Sequence, residues 1–227
     1  MTFYLCLLRG VFLEKAGTFN GQSFIEEVCN SLSHGVGALM AIAGFVWLMA
    51  RSAGTGNALL LGSMMVYGLS LVVLYTFSTL YHAAMDFGVK SRLQVFDHCS
   101  IFILIWGTYV PVAVNLIGGR AGWTIVIIQT VCMAAGIYLN SLDMKKYKRF
   151  SLTLYVIMGW CIVFNMKPLL GVIDRNGLEL LFAGGIAYTV GILFYVRKEK
   201  HFYHTIWHLF VMAGSIFHFA FMISSCF

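Results

Sequence analysis

Charge is scarce in this 227-residue chain: 11% of residues are Asp, Glu, Lys or Arg, against 60% that are hydrophobic. Soluble domains carry about 25% charged residues, and a domain of this size cannot bury so much hydrocarbon beneath a water-facing surface. A water-soluble globule is excluded. Proline is scarcer still, with two residues, and the long apolar runs do not alternate at every second position. That excludes a transmembrane β-barrel. The six cysteines (Cys6, Cys29, Cys99, Cys132, Cys161, Cys226) form no C-x-x-C pair and lie mostly in apolar segments. Neither a disulfide framework nor a thiolate zinc site is implied. The net charge of +6 is spread over short loops and not gathered on one face, so no nucleic-acid surface is expected. The opening MTFYLCLLRGVFL has no basic region before its apolar run, and Arg9 interrupts it, unlike a secretory signal. Residues 1–25 are read as a leader, interfacial or loosely ordered, before a single membrane domain over 26–227.

What is present is a series of apolar segments. A membrane crossing takes roughly 20 mostly apolar residues, and seven stretches qualify: about 32–50, 57–82, 95–117, 121–140, 150–166, 178–196 and 203–224. The fold class is therefore all-α, a polytopic bundle of seven transmembrane helices. The glycines, often near one another as in Gly35/Gly37, Gly118/Gly119 and Gly184/Gly185, suit close helix packing. Lys and Arg number 11 in the N-terminal segment and the second, fourth and sixth loops, against 4 on the other side. The positive-inside rule then puts the N-terminus in the cytoplasm and the C-terminus outside.

Ionisable groups inside a membrane are rare and face the bundle interior or a cavity. His82 ends the second span, Asp97 starts the third, and His204 and His208 occupy the first two turns of the seventh, so all four fall at one depth near the cytoplasmic face. Asp97 shares a helical stripe with Ser100, Gly107 and Thr108, which reads as inward. His98 shares one with Phe102, Ile105 and Tyr109, which reads as facing lipid or a neighbouring helix. Ser78 sits one turn from His82, and His204 and His208 share a face at i and i+4. Histidines so placed either hydrogen-bond across helices or hold a metal. Three imidazoles from two helices match a zinc site with one open position, with Asp97 and Ser78 beside it. Zinc-bound water has its pKa lowered to about 7, and a carboxylate can serve as its base. His34 reads as a packing or hydrogen-bonding residue, His201 as a solvated loop residue and His218 as structural, too far along the helix to be a ligand.

The stretches EEVCNSLSHGVG from Glu26, STLYHA from Ser78, FDHCSIFILIWGTYVP from Phe96 and HTIWHLFVMAGSIFHF from His204 carry a resemblance. Over roughly residues 22–224 the chain resembles the bacterial hemolysin III family, the microbial branch of the progestin and adiponectin receptor (PAQR) superfamily. The combined pattern S-x-x-x-H, Asp, H-x-x-x-H is shared with alkaline ceramidases. The resemblance implies a zinc ion near the cytoplasmic side on His82, His204 and His208, with Asp97 and Ser78 completing the site. Glu26, Glu27, Asn30 and His34 match a family motif to which the sequence assigns no role. The resulting expectation is a multi-pass protein of the bacterial cytoplasmic membrane that hydrolyses a lipid amide or ester with zinc. In it Asp97 acts as general base and Ser78 assists. The alternative is a non-enzymatic membrane protein, cytolytic, channel-like or regulatory, in which zinc is structural. Membrane lipids are the expected partners.

Overall fold

The structure, a computed structural model, describes residues 21–227. The first twenty residues of the expected leader lie outside the described residues. The rest of it is already structured, because helix α1 (Phe24–Gly54) starts there. The later helices are α2 (Ala58–Ala83), α3 (Phe87–Pro111), α4 (Gly119–Trp160), the short α5 (Met166–Leu170), α6 (Arg175–Tyr195) and α7 (Tyr203–Cys226). Six helical stretches among the described residues are long and apolar enough to cross a membrane. The chain is a multi-pass integral membrane protein.

Most of the helix starts are set by single polar side chains that satisfy the free N–H groups of a first turn. Ser23 and Glu26 form a capping box on α1. Asn57 accepts from Leu59 and Leu60 N–H at α2, Asp86 from Val89 at α3 and Asp174 from Gly177 at α6. Pro111 closes α3, and a π-helical turn (Val112–Ile117) comes next before the chain turns at Gly118 and Gly119, both at positive φ. These two glycines serve a turn and not a packing contact: no atom lies within 4 Å of where their Cβ atoms would stand.

The expected loop after the fourth span is almost entirely helical, so α4 runs on for 42 residues. Its helix breaks at Asp143, with φ −160° and ψ 92°, and Asp143 Oδ1 caps the second limb by accepting from Lys146 N–H at 2.9 Å. The two limbs lie side by side. Gln129 Nε2 donates to the carbonyl of Met158 at 2.9 Å, and Ser151 Oγ to Asn140 Oδ1 at 2.6 Å. In one straight helix residues 129 and 158 would stand roughly 43 Å apart at 1.5 Å per residue. The chain therefore reverses at Asp143, and α4 is a hairpin.

Around the bundle α1 packs on α2, α2 on α3, α3 on α4 and α6 on α7, and α7 closes back on α1. The core is built from Met64, Tyr67, Leu71 and Leu74 of α2, Leu104 and Tyr109 of α3, and Val211, Phe221 and Met222 of α7. Large apolar side chains such as Leu39, Val131, Phe164 and Leu193 point outward, as a lipid-facing surface requires. At Gly37 a Cβ would lie 2.5 Å from Tyr75 Cδ1, so glycine there lets α1 close onto α2. Tyr75 in turn donates to Ser215 Oγ of α7 at 2.8 Å. Three helices are thus drawn together partway along the bundle, inside the end where α1, α3 and α7 begin and α2 ends.

Candidate metal centre

At that end the last turn of α2 meets the first two turns of α7. His82, His204 and His208 are buried there, and each offers a ring nitrogen such that all three lie within 4.8 Å of one another. Their ring centroids are 5.1 Å (His82 to His204), 4.9 Å (His82 to His208) and 4.7 Å (His204 to His208) apart. His82 Nε2 and His204 Nδ1 are buried without a hydrogen-bond partner among the described residues. Unpaired buried nitrogens are costly, and an imidazole cluster of this kind could hold a metal ion. The donor set fits the zinc that the sequence leads one to expect.

The first helix braces this cluster, a role that sequence reasoning missed. Glu27 Oε2 stands 2.6 Å from His82 Nδ1. A carboxylate can only accept, so the imidazole proton sits on Nδ1 and the lone pair of Nε2 faces the cluster. His208 Nδ1 is 3.2 Å from both the carbonyl of Asn30 and Ser33 Oγ, which fixes its proton in the same way. Lys90 Nζ donates to the carbonyls of Tyr81, His82 and Ala84 at 3.1 to 3.2 Å, and lies 3.2 Å from Glu27 Oε2. One lysine thus closes the C-terminal end of α2 and holds the carboxylate that orients its histidine.

Other residues of the same motif tie α1 to α7. Glu26 Oε1 accepts the backbone N–H of Phe202 at 2.7 Å, just before α7, where Phe202 adopts φ 60°. Asn30 Oδ1 accepts from Thr205 Oγ1 at 2.6 Å. The sequence signal was present in Glu26, Glu27 and Asn30, but acidic residues in a first helical turn read equally well as caps.

Of the other expected residues, Ser78 is buried one turn before His82. Asp97 is 9% exposed, and its Oδ2 lies 3.3 Å from His98 Nδ1. The cluster of metal-capable groups contains the three histidines and not Asp97. Of the two settings expected for His98, it takes the neighbouring helix and not the lipid. It is buried with its carbonyl accepting from Tyr155 Oη at 2.7 Å and Nε2 3.4 Å from Tyr195 Oη, because the second limb of α4 and α6 cover that side of α3. His34 stacks on His208. His201 is exposed, and His218 is paired with the carbonyl of Leu181 at 3.2 Å, remote from the cluster.

Beside the histidines, the Tyr195 ring lies 6.3 Å from that of His204. It lines an apolar cavity of about 120 Å³ between α3, the second limb of α4, α6 and α7. Tyr155, Tyr188, Trp207 and Val211 share that lining. Lys148 and Lys198 stand over the Tyr195 ring at 5.8 and 5.5 Å. Lys198, in the loop before α7, is held below the usual lysine range, first by burial and then by the charge of Lys148.

The sequence matches the haemolysin-III-related family over residues 22–219. The chain belongs to that family. Hemolysin-3 homolog of Bacillus subtilis is 37% identical over 190 residues, covering 84% of this chain and 89% of the relative. Hemolysin-3 of Bacillus cereus is also 37% identical, covering 84% and 87%. The human monocyte to macrophage differentiation factor is 29% identical over 229 residues, covering 92% and 89%, which places this haemolysin-III-related protein within the wider PAQR superfamily. The matched region of this haemolysin-III relative includes the α1 brace, Ser78, Asp97 and all three clustered histidines.

Proposed function

We propose that this haemolysin-III-related protein is a zinc-dependent hydrolase of a lipid amide or ester. The observation that carries the reading is the buried trio His82, His204 and His208, with uncommitted nitrogens turned to one point beside an apolar cavity. Zinc bound there supplies a water of lowered pKa, near neutrality. Asp97, about three turns into α3, accepts a proton on its carboxylate as general base. Ser78 Oγ donates to the carbonyl of the substrate. The cavity that ends at Tyr195 takes the apolar chain and keeps water from it. Glu27 and Asn30 hold His82 and His208 in the tautomer that presents Nε2.

In this reading the hairpin of α4 counts as two crossings, which makes seven. The Lys and Arg excess then puts the metal end at the cytoplasmic face of the inner membrane. The test is metal analysis of the purified protein joined to a panel of ceramides, acyl amides and phospholipids. One zinc per chain and cleavage of a panel member are expected. Stoichiometric zinc with no cleavage across the panel would defeat the hydrolase.

One observation favours a second reading, in which the metal is structural in a non-enzymatic membrane protein. The ligands come from two helices, and α1 is bound to both, so a metal would lock three helices together. Ion leak from liposomes carrying wild type or the His204→Ala/His208→Ala double variant separates the two. Leak that depends on the histidines favours the structural metal.

A further inference from the structure

His34 is the member of the α1 motif that neither capping nor bracing explains. It is 3% exposed, and both of its ring nitrogens are buried without a hydrogen-bond partner among the described residues. Its ring stacks on that of His208, with centroids 3.6 Å apart and planes 12° from parallel. Tyr75 meets it edge-on at 5.0 Å and 85°. Packing alone would be served by phenylalanine in this slot. A buried imidazole with neither nitrogen in a well-formed hydrogen bond is rare and calls for an explanation.

Its position supplies one. An imidazole holds a metal in the plane of its own ring, and the ring of His34 lies parallel to His208 and off that plane. His34 is absent from the group whose nitrogens lie within 4.8 Å of one another, so it is not a fourth ligand. It stands beside the cluster, against one face of the His208 ring. We infer that His34 is a positioning residue of the metal centre, whose ring nitrogen hydrogen-bonds the oxygen of the group in the metal's open position. With a metal held by the three histidines, that oxygen would be a water's or the carbonyl or carboxylate oxygen of a lipid. The inference rests on the metal reading above and adds the residue that selects an oxygen ligand.

The test uses the full chain in nanodiscs, loaded with Co²⁺ so that the visible spectrum reports the open position, and octanoate as the oxygen probe. Three proteins are compared: wild type, His34→Phe, which keeps a stacking ring but no polar atom, and His34→Gln, which keeps a hydrogen-bonding group. Wild type and both variants are expected to hold one Co²⁺ with affinities within about threefold of each other. Octanoate is expected to bind His34→Phe about 10-fold or more weakly than wild type, the size of one lost hydrogen bond, with part of the loss restored in His34→Gln. Equal octanoate affinity in wild type and His34→Phe overturns the inference, as does a wild-type spectrum that octanoate leaves unchanged. Loss of Co²⁺ from His34→Phe overturns it in another way, by making His34 a ligand. Wild type that binds no Co²⁺ defeats the metal reading itself, and metal content measured on wild type separates that failure from the others.

Discussion

Two carboxylate–histidine pairs lie at the same end of this bundle and are built differently. Glu27 of α1 reaches across to His82 of α2 at 2.6 Å, with Lys90 of α3 holding the same oxygen at 3.2 Å. Asp97 and His98 are neighbours on α3 itself, 3.3 Å apart. The first pair joins three helices and ends on a member of the metal-capable cluster. The second ends on a histidine whose Nδ1 also bonds the carbonyl of Gln94 at 2.9 Å and whose other polar contacts are Tyr155 and Tyr195. The difference assigns separate tasks. A carboxylate bonded to a ligand's outer nitrogen fixes that ligand, whereas Asp97, the general base of the proposed hydrolase, makes no such bond to the cluster.

Zinc affinity orders the consequences. The largest effect is expected from His204→Ala or His208→Ala, which remove one of three ligands, and equilibrium dialysis should find no stoichiometric zinc. Glu27→Gln should weaken zinc about 10- to 100-fold, the usual cost of losing a partner to a metal-bound histidine, measured by chelator competition. Lys90→Met leaves Glu27 in place but removes its anchor, along with the donor to three carbonyls. It should weaken zinc less than Glu27→Gln does while lowering the unfolding temperature more, because both variants break the ion pair but only Lys90→Met also strips the donor from three carbonyls at the end of α2. Asp97→Asn should leave zinc affinity within about threefold yet cut lipid turnover by about 10²- to 10⁴-fold, the range for a lost general base. The smallest effect belongs to His98→Phe, with zinc unchanged and a stability loss of about 1 kcal/mol from its hydrogen bonds. If Asp97→Asn strips zinc as Glu27→Gln does, the two pairs do not divide the work.

Much of this is legible in the sequence alone. Hydropathy locates the membrane helices because lipid imposes long apolar runs, and Ser23, Asn57, Asp86 and Asp174 mark helix starts by a local rule. Depth counting brings His82, His204 and His208 together, since residues at the ends of adjoining spans share one layer. What depth cannot supply is lateral neighbourhood. Whether Glu27 caps α1 or grips His82 depends on how α1 rotates against α2, which Gly37 and Tyr75 decide. The helical stripe of His98 cannot say which neighbour covers it. The segment 144–149 reads as a loop because it carries four basic residues. Its backbone is nevertheless helical, as Asp143 supplies both the break and the new cap.

The central claim is that three histidines hold a metal and that α1, through Glu27, sets its affinity. Chelator competition on purified wild type, Glu27→Gln and Asp97→Asn, side by side, tests it most directly. The account predicts one zinc per wild-type chain, affinity weakened at least about 10-fold in Glu27→Gln and little changed in Asp97→Asn. Wild type without zinc, or Glu27→Gln binding as tightly as wild type, would contradict it.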